Sequence, residues 1–292
     1  MDLVAEPQLI SDGVIGHSPT MVRIYKLAEK LSKITTSALI FGESGTGKEN
    51  LARTIHTNSP RRNEPFVVVD CSGLSEVLAE SELFGHARGA FTDAVASRDG
   101  LIKRATKGTL FLKSVETLPK QLQGKMLEVL EHKMLTPLGG TEEIKLDLRV
   151  ISASTKSLKE TVSMGQCRED LYHRLSVIEI SLPPLRNRKE DIPLFIRHCI
   201  RKHADSMKKQ VTTIRSDAQD CLIDYPYTGN IAELEKIVEY AVALTDRDTI
   251  GTDDLPLSVR KSTTQDELEV FEHTDPAEAK LFTTRATLWM KN

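Results

Sequence analysis

The stretch GESGTGKE, Gly42 to Glu49, decides the fold. Its first seven residues, Gly42, Glu43, Ser44, Gly45, Thr46, Gly47 and Lys48, satisfy the phosphate-loop spacing G-x-x-x-x-G-K. The loop stands between a strand-like run, SALIF, and a segment of helical periodicity from about Lys48 to His56. Glycines let backbone amides point inward at phosphate oxygens, the following helix start adds partial positive charge, and Lys48 can reach the β and γ phosphates. The alternative is an ordinary Gly-rich turn, which requires neither the lysine nor both glycines. Glu49 stands where the general motif carries a Ser or Thr that holds magnesium.

Working outward, MVRIYKLAEKL (Met21 to Leu31) has apolar residues at helical spacing ahead of the loop. After it come the strand FVVVD, a Leu- and Glu-rich helical stretch, the Gly-rich GHARGAFTDA, the strand GTLFL, a helix over about Lys120 to Glu131, and the strand in LDLRVISAS. Strands alternating with helices predict an α/β fold with a parallel, doubly wound sheet. The proline pair in SLPPLRNRKEDIP marks a boundary. Beyond it, three helical patterns without strand-like runs predict a small all-helical domain. Residues from about Gly251 are acidic, threonine-rich and weakly periodic, and are expected to form a linker.

The 292 residues carry 39 basic and 42 acidic side chains, a net charge of -3, so no global basic field advertises nucleic acid. The N-terminus lacks a signal-peptide pattern, and no run approaches the roughly 20 apolar residues that span a bilayer. A soluble cytoplasmic protein without a membrane partner is expected. The four cysteines show neither a CxxC pair nor zinc-finger spacing, so they are read as reduced packing residues and no residue is assigned to a metal.

With these motifs in hand, the chain resembles the AAA+ domain of bacterial enhancer-binding proteins, the ATP-driven activators of sigma-54 RNA polymerase. The likeness runs through VIGHSP, GESGTGKE, SELFGHARGAFTDA, CREDLYHRL, LPPLRNRKEDIP and GNIAELE, ending near Pro256. It implies an AAA+ P-loop NTPase: a leader over 1–13, an α/β nucleotide-binding subdomain over 14–185, a helical lid over 186–250, a linker over 251–270 and a truncated helix-turn-helix-like tail over 271–292. It implies ATP as the ligand, with Val14 and Ile15 added to the phosphate-loop residues. Gly89, Ala90, Phe91, Thr92, Asp93 and Ala94 match the family's sigma-contact loop, with Asp93 replacing a glycine. Arg168 and Arg174 match the arginines offered to a neighbouring subunit's ATP in a ring of identical or homologous subunits. In the tail, Arg285 and Thr287 match a DNA-contacting segment that lacks its turn glycine, so DNA binding is expected to be weak. With so little sequence ahead of VIGHSP, control by a partner, by expression or by assembly is expected.

Departures from the family gather where it keeps its own chemistry. The strand GTLFL is followed in the family by Asp-Glu, the aspartate organising magnesium and the glutamate activating water; here Lys113 and Ser114 follow. Asp70 replaces an asparagine that restrains that glutamate, Thr155 replaces the sensing asparagine, and Ala232 replaces the lid arginine. Two like charges about 4 Å apart repel by about 4 kcal/mol at an effective dielectric near 20, and a divalent ion roughly doubles this. Lys113 therefore opposes Mg2+ at its usual place, where its ammonium either neutralises phosphate or turns to solvent. A missing general base costs about 100-fold to 10,000-fold in rate. Impaired hydrolysis is expected, with two alternatives: a non-catalytic partner in rings of an active homologue, or a DNA-binding repressor. Glu116 is a remote replacement for the lost acid.

Overall fold

The computed structural model describes residues 15–74, 78–92 and 94–260. The chain divides into two compact units, one running to Cys199 and including Pro226–Lys236, the other taking Ile200–Tyr225 and the residues from Ile237 onward.

The first unit is built on a five-stranded sheet. Its strands are β1 (Ala38–Phe41), β2 (Phe66–Asp70), β3 (Thr109–Lys113), β4 (Arg149–Ser154) and β5 (Ile178–Ser181). They lie in the order β2-β3-β4-β1-β5, every neighbouring pair parallel. Parallel strands covered on both faces read as continuous apolar runs, which is why ALIF and TLFL lack alternation. Side chains nonetheless alternate between faces. Leu39, Leu110, Leu112 and Val150 join one buried cluster with Leu122, Met126 and Leu130 of the Lys120–His132 helix. Ile40, Phe111, Ile151 and Ala153 join the other, against Met21, Ala28 and Leu31 of α1 (Pro19–Ser32) and Leu51, Ala52 and Ile55 of α2 (Lys48–Thr57). The expected doubly wound sheet is thus present, with helices on both faces.

Strand β5 is absent from the sequence expectation. Its run IEIS has only Ile180 buried, with Ile178 partly covered, because it is an edge strand beside β1. Such a strand carries half the apolar signal of a central one.

The second unit contains the helix Ser216–Asp224 and the later part of Asn230–Leu244, with Ala218, Leu222, Val238, Ala241 and Val242 buried. A ladder of two-residue strands, Thr213–Ile214 with Thr249–Ile250, accompanies the helices. The expected linker from Gly251 is corrected at its start. Thr252–Asp254 forms a 3-10 turn and Leu257–Arg260 a helical turn, with Leu255 and Val259 buried. Residues beyond Arg260 lie outside the described residues.

Candidate functional site

Strand β1 delivers the chain into the Gly42–Lys48 loop, and the Gly42 amide still donates to Ser154 O at 3.2 Å. Gly45 (φ 75°) and Gly47 (φ 99°) then adopt left-handed conformations, which glycine accepts without steric cost. At Gly45 there is a second reason, since a Cβ would lie 2.2 Å from the Gly229 carbonyl oxygen. Helix α2 starts at Lys48, so its unpaired amides face the loop. The Lys48 ammonium donates to Gly42 O and Glu43 O, each at 2.7 Å. Burial lowers its pKa; Glu116 opposes this, Lys113 adds to it and Glu43 opposes it.

The loop is clamped from outside. Glu43 accepts from both Arg186 Nη atoms, at 2.8 and 2.5 Å, and from Asn230 Nδ2 at 3.1 Å. The Arg186 bonds, then the Asn230 bond, hold the Glu43 carboxyl down to about 2. Asn230 Nδ2 also donates to Ser44 O at 2.9 Å, the Ile231 amide to Gly45 O at 3.0 Å, and buried Arg188 to Thr46 O at 2.9 Å. Sequence reasoning assigned no role to Arg186, Arg188 or Asn230. Their motifs were visible, but the contacts join positions more than 140 residues apart, at |i−j| of 143, 142 and 187.

Two recesses flank the loop. One is apolar, between Ile15, Met21, Tyr25, Leu182, Phe195 and Ile231. The other, a cleft of about 260 Å³, runs along Lys48 past Lys113, Ser114, Thr155, Ala232 and Glu235. Gly47, Asn50 and Ile231 line both. The apolar recess, about 30 Å³, and the cleft, which carries Lys48 and Lys113 together with Glu49 and Glu235, meet at the glycine loop. Of the two residues expected to join the loop in binding it, Ile15 lines the apolar recess and Val14 lies outside the described residues.

Lys113 ends β3 in register with Asp70 on β2, and its Nζ lies 2.8 Å from Asp70 Oδ2. It therefore lines the cleft without turning free into solvent. Asp70 also accepts from Ser72 N at 3.1 Å and Ser72 Oγ at 2.6 Å. Burial works to raise the Asp70 carboxyl, and the Lys113 and Ser72 bonds outweigh it and hold it below its ordinary value. The Asp70 bond raises Lys113 in turn. Nearby, Glu49 Oε1 accepts from Arg53 at 2.7 and 3.1 Å, and Glu116 Oε1 accepts from Thr155 N at 2.9 Å and Thr155 Oγ1 at 2.5 Å, while Glu116 Oε2 is buried without a hydrogen-bond partner. No group of three or more acidic, His or Cys residues able to hold a metal occurs among the described residues. An ammonium stands at the end of β3, where the sequence resemblance leads to the expectation of a magnesium-organising acid. The residues present do not fit Mg2+ at that place.

Arg168 and Arg174 line neither recess. Arg168 makes a bidentate pair with Asp170, Nε–Oδ1 3.0 Å and Nη2–Oδ2 2.8 Å, and Arg174 donates to Leu130 O at 3.3 Å. Both are exposed. The Gly89–Ala94 loop closes through Gly89 N to Ala94 O and Ala94 N to Phe91 O, each 2.9 Å. Phe91 is 40% exposed and rests its ring edge on His86, centroids 5.0 Å apart. Asp93, Arg285 and Thr287 lie outside the described residues.

A five-stranded parallel sheet with a phosphate loop after β1, flanked by these recesses, defines an AAA+ P-loop domain. Residues 14–181 match the Sigma-54 interaction domain and residues 186–270 the AAA+ ATPase lid domain, and the chain belongs to the sigma-54 interaction domain family. It is 42% identical over 240 residues to the transcriptional regulatory protein GlrR of Escherichia coli K12, covering 82% of this chain and 54% of that protein. Over 248 residues it is 42% identical to the regulatory protein AtoC of the same organism, covering 85% and 54%. The structure of NtrX from Brucella abortus in complex with ATP superposes with a TM-score of 0.81 at 31% identity, covering 91% of this chain and 60% of that one. The chain spans about half the length of the curated relatives it matches.

Proposed function

We propose that this chain binds ATP and acts on sigma-54 RNA polymerase as a transcriptional regulator whose own ATP hydrolysis is impaired. The observation that carries the reading is the Lys113–Asp70 pair at 2.8 Å, which puts a committed ammonium where an attacking-water site needs acid. ATP binding is supported by the loop, by Lys48 and by the two joined recesses. On binding, Lys48 exchanges its bonds to Gly42 O and Glu43 O for phosphate oxygens. The loop amides and the start of α2 hold the same anion without rearrangement of charge. Met21, Tyr25 and Phe195 exclude water from the base. Lys113 contributes charge, and the residues that follow the apolar run of β3, Lys113 and Ser114, offer no carboxylate as general base, while Thr155 engages Glu116 through Oε1. Phe91, exposed at a loop tip anchored through Ala87 N to Leu138 O, is the residue presented to the sigma factor.

A second reading, subunit of a mixed ring with an active homologue, is favoured by Arg168 and Arg174. These exposed guanidiniums persist in a chain that lacks the acids of its own site. The test is an open-complex assay with sigma-54 polymerase and ATP, run with and without an active homologue. The expected result is polymerase binding without promoter opening by this chain alone. Opening at the homologue's own rate would contradict impaired hydrolysis.

A further inference from the structure

Two lysines and two glutamates, Glu49 and Glu235, line the cleft. Lys48 and Lys113 both line it, while Asp70, the carboxylate in register with Lys113, stands on β2, beyond β3 from the loop. Lys113 is 46% exposed and Asp70 39%, so their ion pair is one that water and a stronger anion can open. The Glu49 carboxylate, also in the cleft, is drawn onto Arg53 at 2.7 Å. Thr155 gives its hydroxyl to Glu116 at 2.5 Å, and Thr46 gives its own to Glu43 O at 2.8 Å. Glu49 Oε1 and Glu116 Oε1 are thus engaged within the chain, and the charge that β3 presents to the cleft is an ammonium.

We infer that the site takes ATP as the magnesium-free anion, with Lys113 released from Asp70 to pair with phosphate oxygens that a divalent cation would otherwise cover. The inference rests on the nucleotide-binding reading above and adds its ionic form. A triphosphate without its metal carries two more negative charges; Lys113, once released from Asp70, supplies one positive charge beyond that of Lys48, and the helix start adds a partial one, against the Glu49 and Glu235 carboxylates that also line the cleft. Bound magnesium would instead be pressed against the Lys113 ammonium. Asp70 becomes a competitor for Lys113, so its removal strengthens binding rather than weakening it.

The experiment is calorimetric titration of ATP into the full chain in excess EDTA and again in excess magnesium chloride. The expected result is binding in EDTA at least as tight as with magnesium. Asp70→Asn is expected to tighten binding in EDTA by up to about fivefold, the size of an exposed ion pair. The Asp70→Asn, Lys113→Asp double variant is expected to lose affinity in EDTA by at least about tenfold and to recover it with magnesium. Thermal melting of each variant without nucleotide establishes that it is folded. Wild-type binding that requires magnesium would overturn the inference while leaving the nucleotide site standing. Absence of heat in both buffers, where Lys48→Ala serves as the non-binding reference, would overturn the site itself and the inference with it.

Discussion

The Glu116 carboxylate holds Thr155 at two points, accepting its amide at 2.9 Å and its hydroxyl at 2.5 Å. The contact ties the 3-10 turn after β3 to the residue that follows β4. Thr155 lines the cleft and engages Glu116 through one oxygen, Oε1, while Glu116 Oε2 is buried without a hydrogen-bond partner. With turnover of the unmodified chain expected at background, Glu116→Gln is expected to leave it there while lowering stability by about 1–3 kcal/mol, the range for a charge-assisted bond. Urea unfolding beside an ATPase assay checks both. Measurable turnover in the unmodified chain that Glu116→Gln removes with stability intact would make Glu116 the missing base.

Glu43 is held to about 2, below its ordinary 4.5, by Arg186 and then Asn230. A depressed carboxyl stabilises the fold fully above pH 4.5 and loses that contribution as the pH falls towards 2. Wild type is expected to melt higher than Glu43→Gln at pH 7, with the gap closing as the pH drops below 4.5. Melting temperatures of the pair at several pH values measure it. A gap that persists at low pH would assign the difference to packing.

Gly45 and Gly124 are expected to respond to alanine with opposite signs. At Gly45 the φ of 75° and the Gly229 oxygen, 2.2 Å from an added Cβ, force the loop off its clamp. Gly45→Ala is expected to lose about 1–3 kcal/mol and to weaken ATP binding. Gly124 lies within the helix Lys120–His132 with open space around its added Cβ, so Gly124→Ala is expected to gain about 0.5–1 kcal/mol. Chemical denaturation of both variants decides the signs.

Phe91 rests on His86 by a ring edge and is otherwise 40% exposed, so its removal costs the fold little. Phe91→Ala is expected to change stability by no more than about 0.5 kcal/mol and to abolish capture of sigma-54. A pull-down with purified sigma-54 and a melting curve read the two effects. Retained capture would move the contact surface elsewhere.

The central sheet was legible because ALIF, FVVVD, TLFLK and RVISAS are apolar runs flanked by helix patterns, and the loop's glycines fixed the order of reading. Strand β5 was not, because an edge strand with Ile180 alone fully buried leaves little pattern. The departures at Lys113, Ser114, Thr155 and Ala232 were visible in the sequence, and all four line one cleft. What Lys113 does was not visible. Its pairing with Asp70 depends on strands 43 residues apart lying side by side in register, a relationship that no local pattern carries (|113−70| = 43). Arg186 and Asn230, which grip Glu43, were hidden for the same reason.

The central claim is that Lys113 and Asp70 leave an intact nucleotide fold without an engine. Steady-state ATP hydrolysis by the unmodified chain, with magnesium and at concentrations that favour rings, tests it most directly. The account predicts turnover at the buffer background, since loss of the base alone removes about 100-fold to 10,000-fold. Turnover on the order of 1 s⁻¹ or faster, within the ordinary enzyme range, would contradict it.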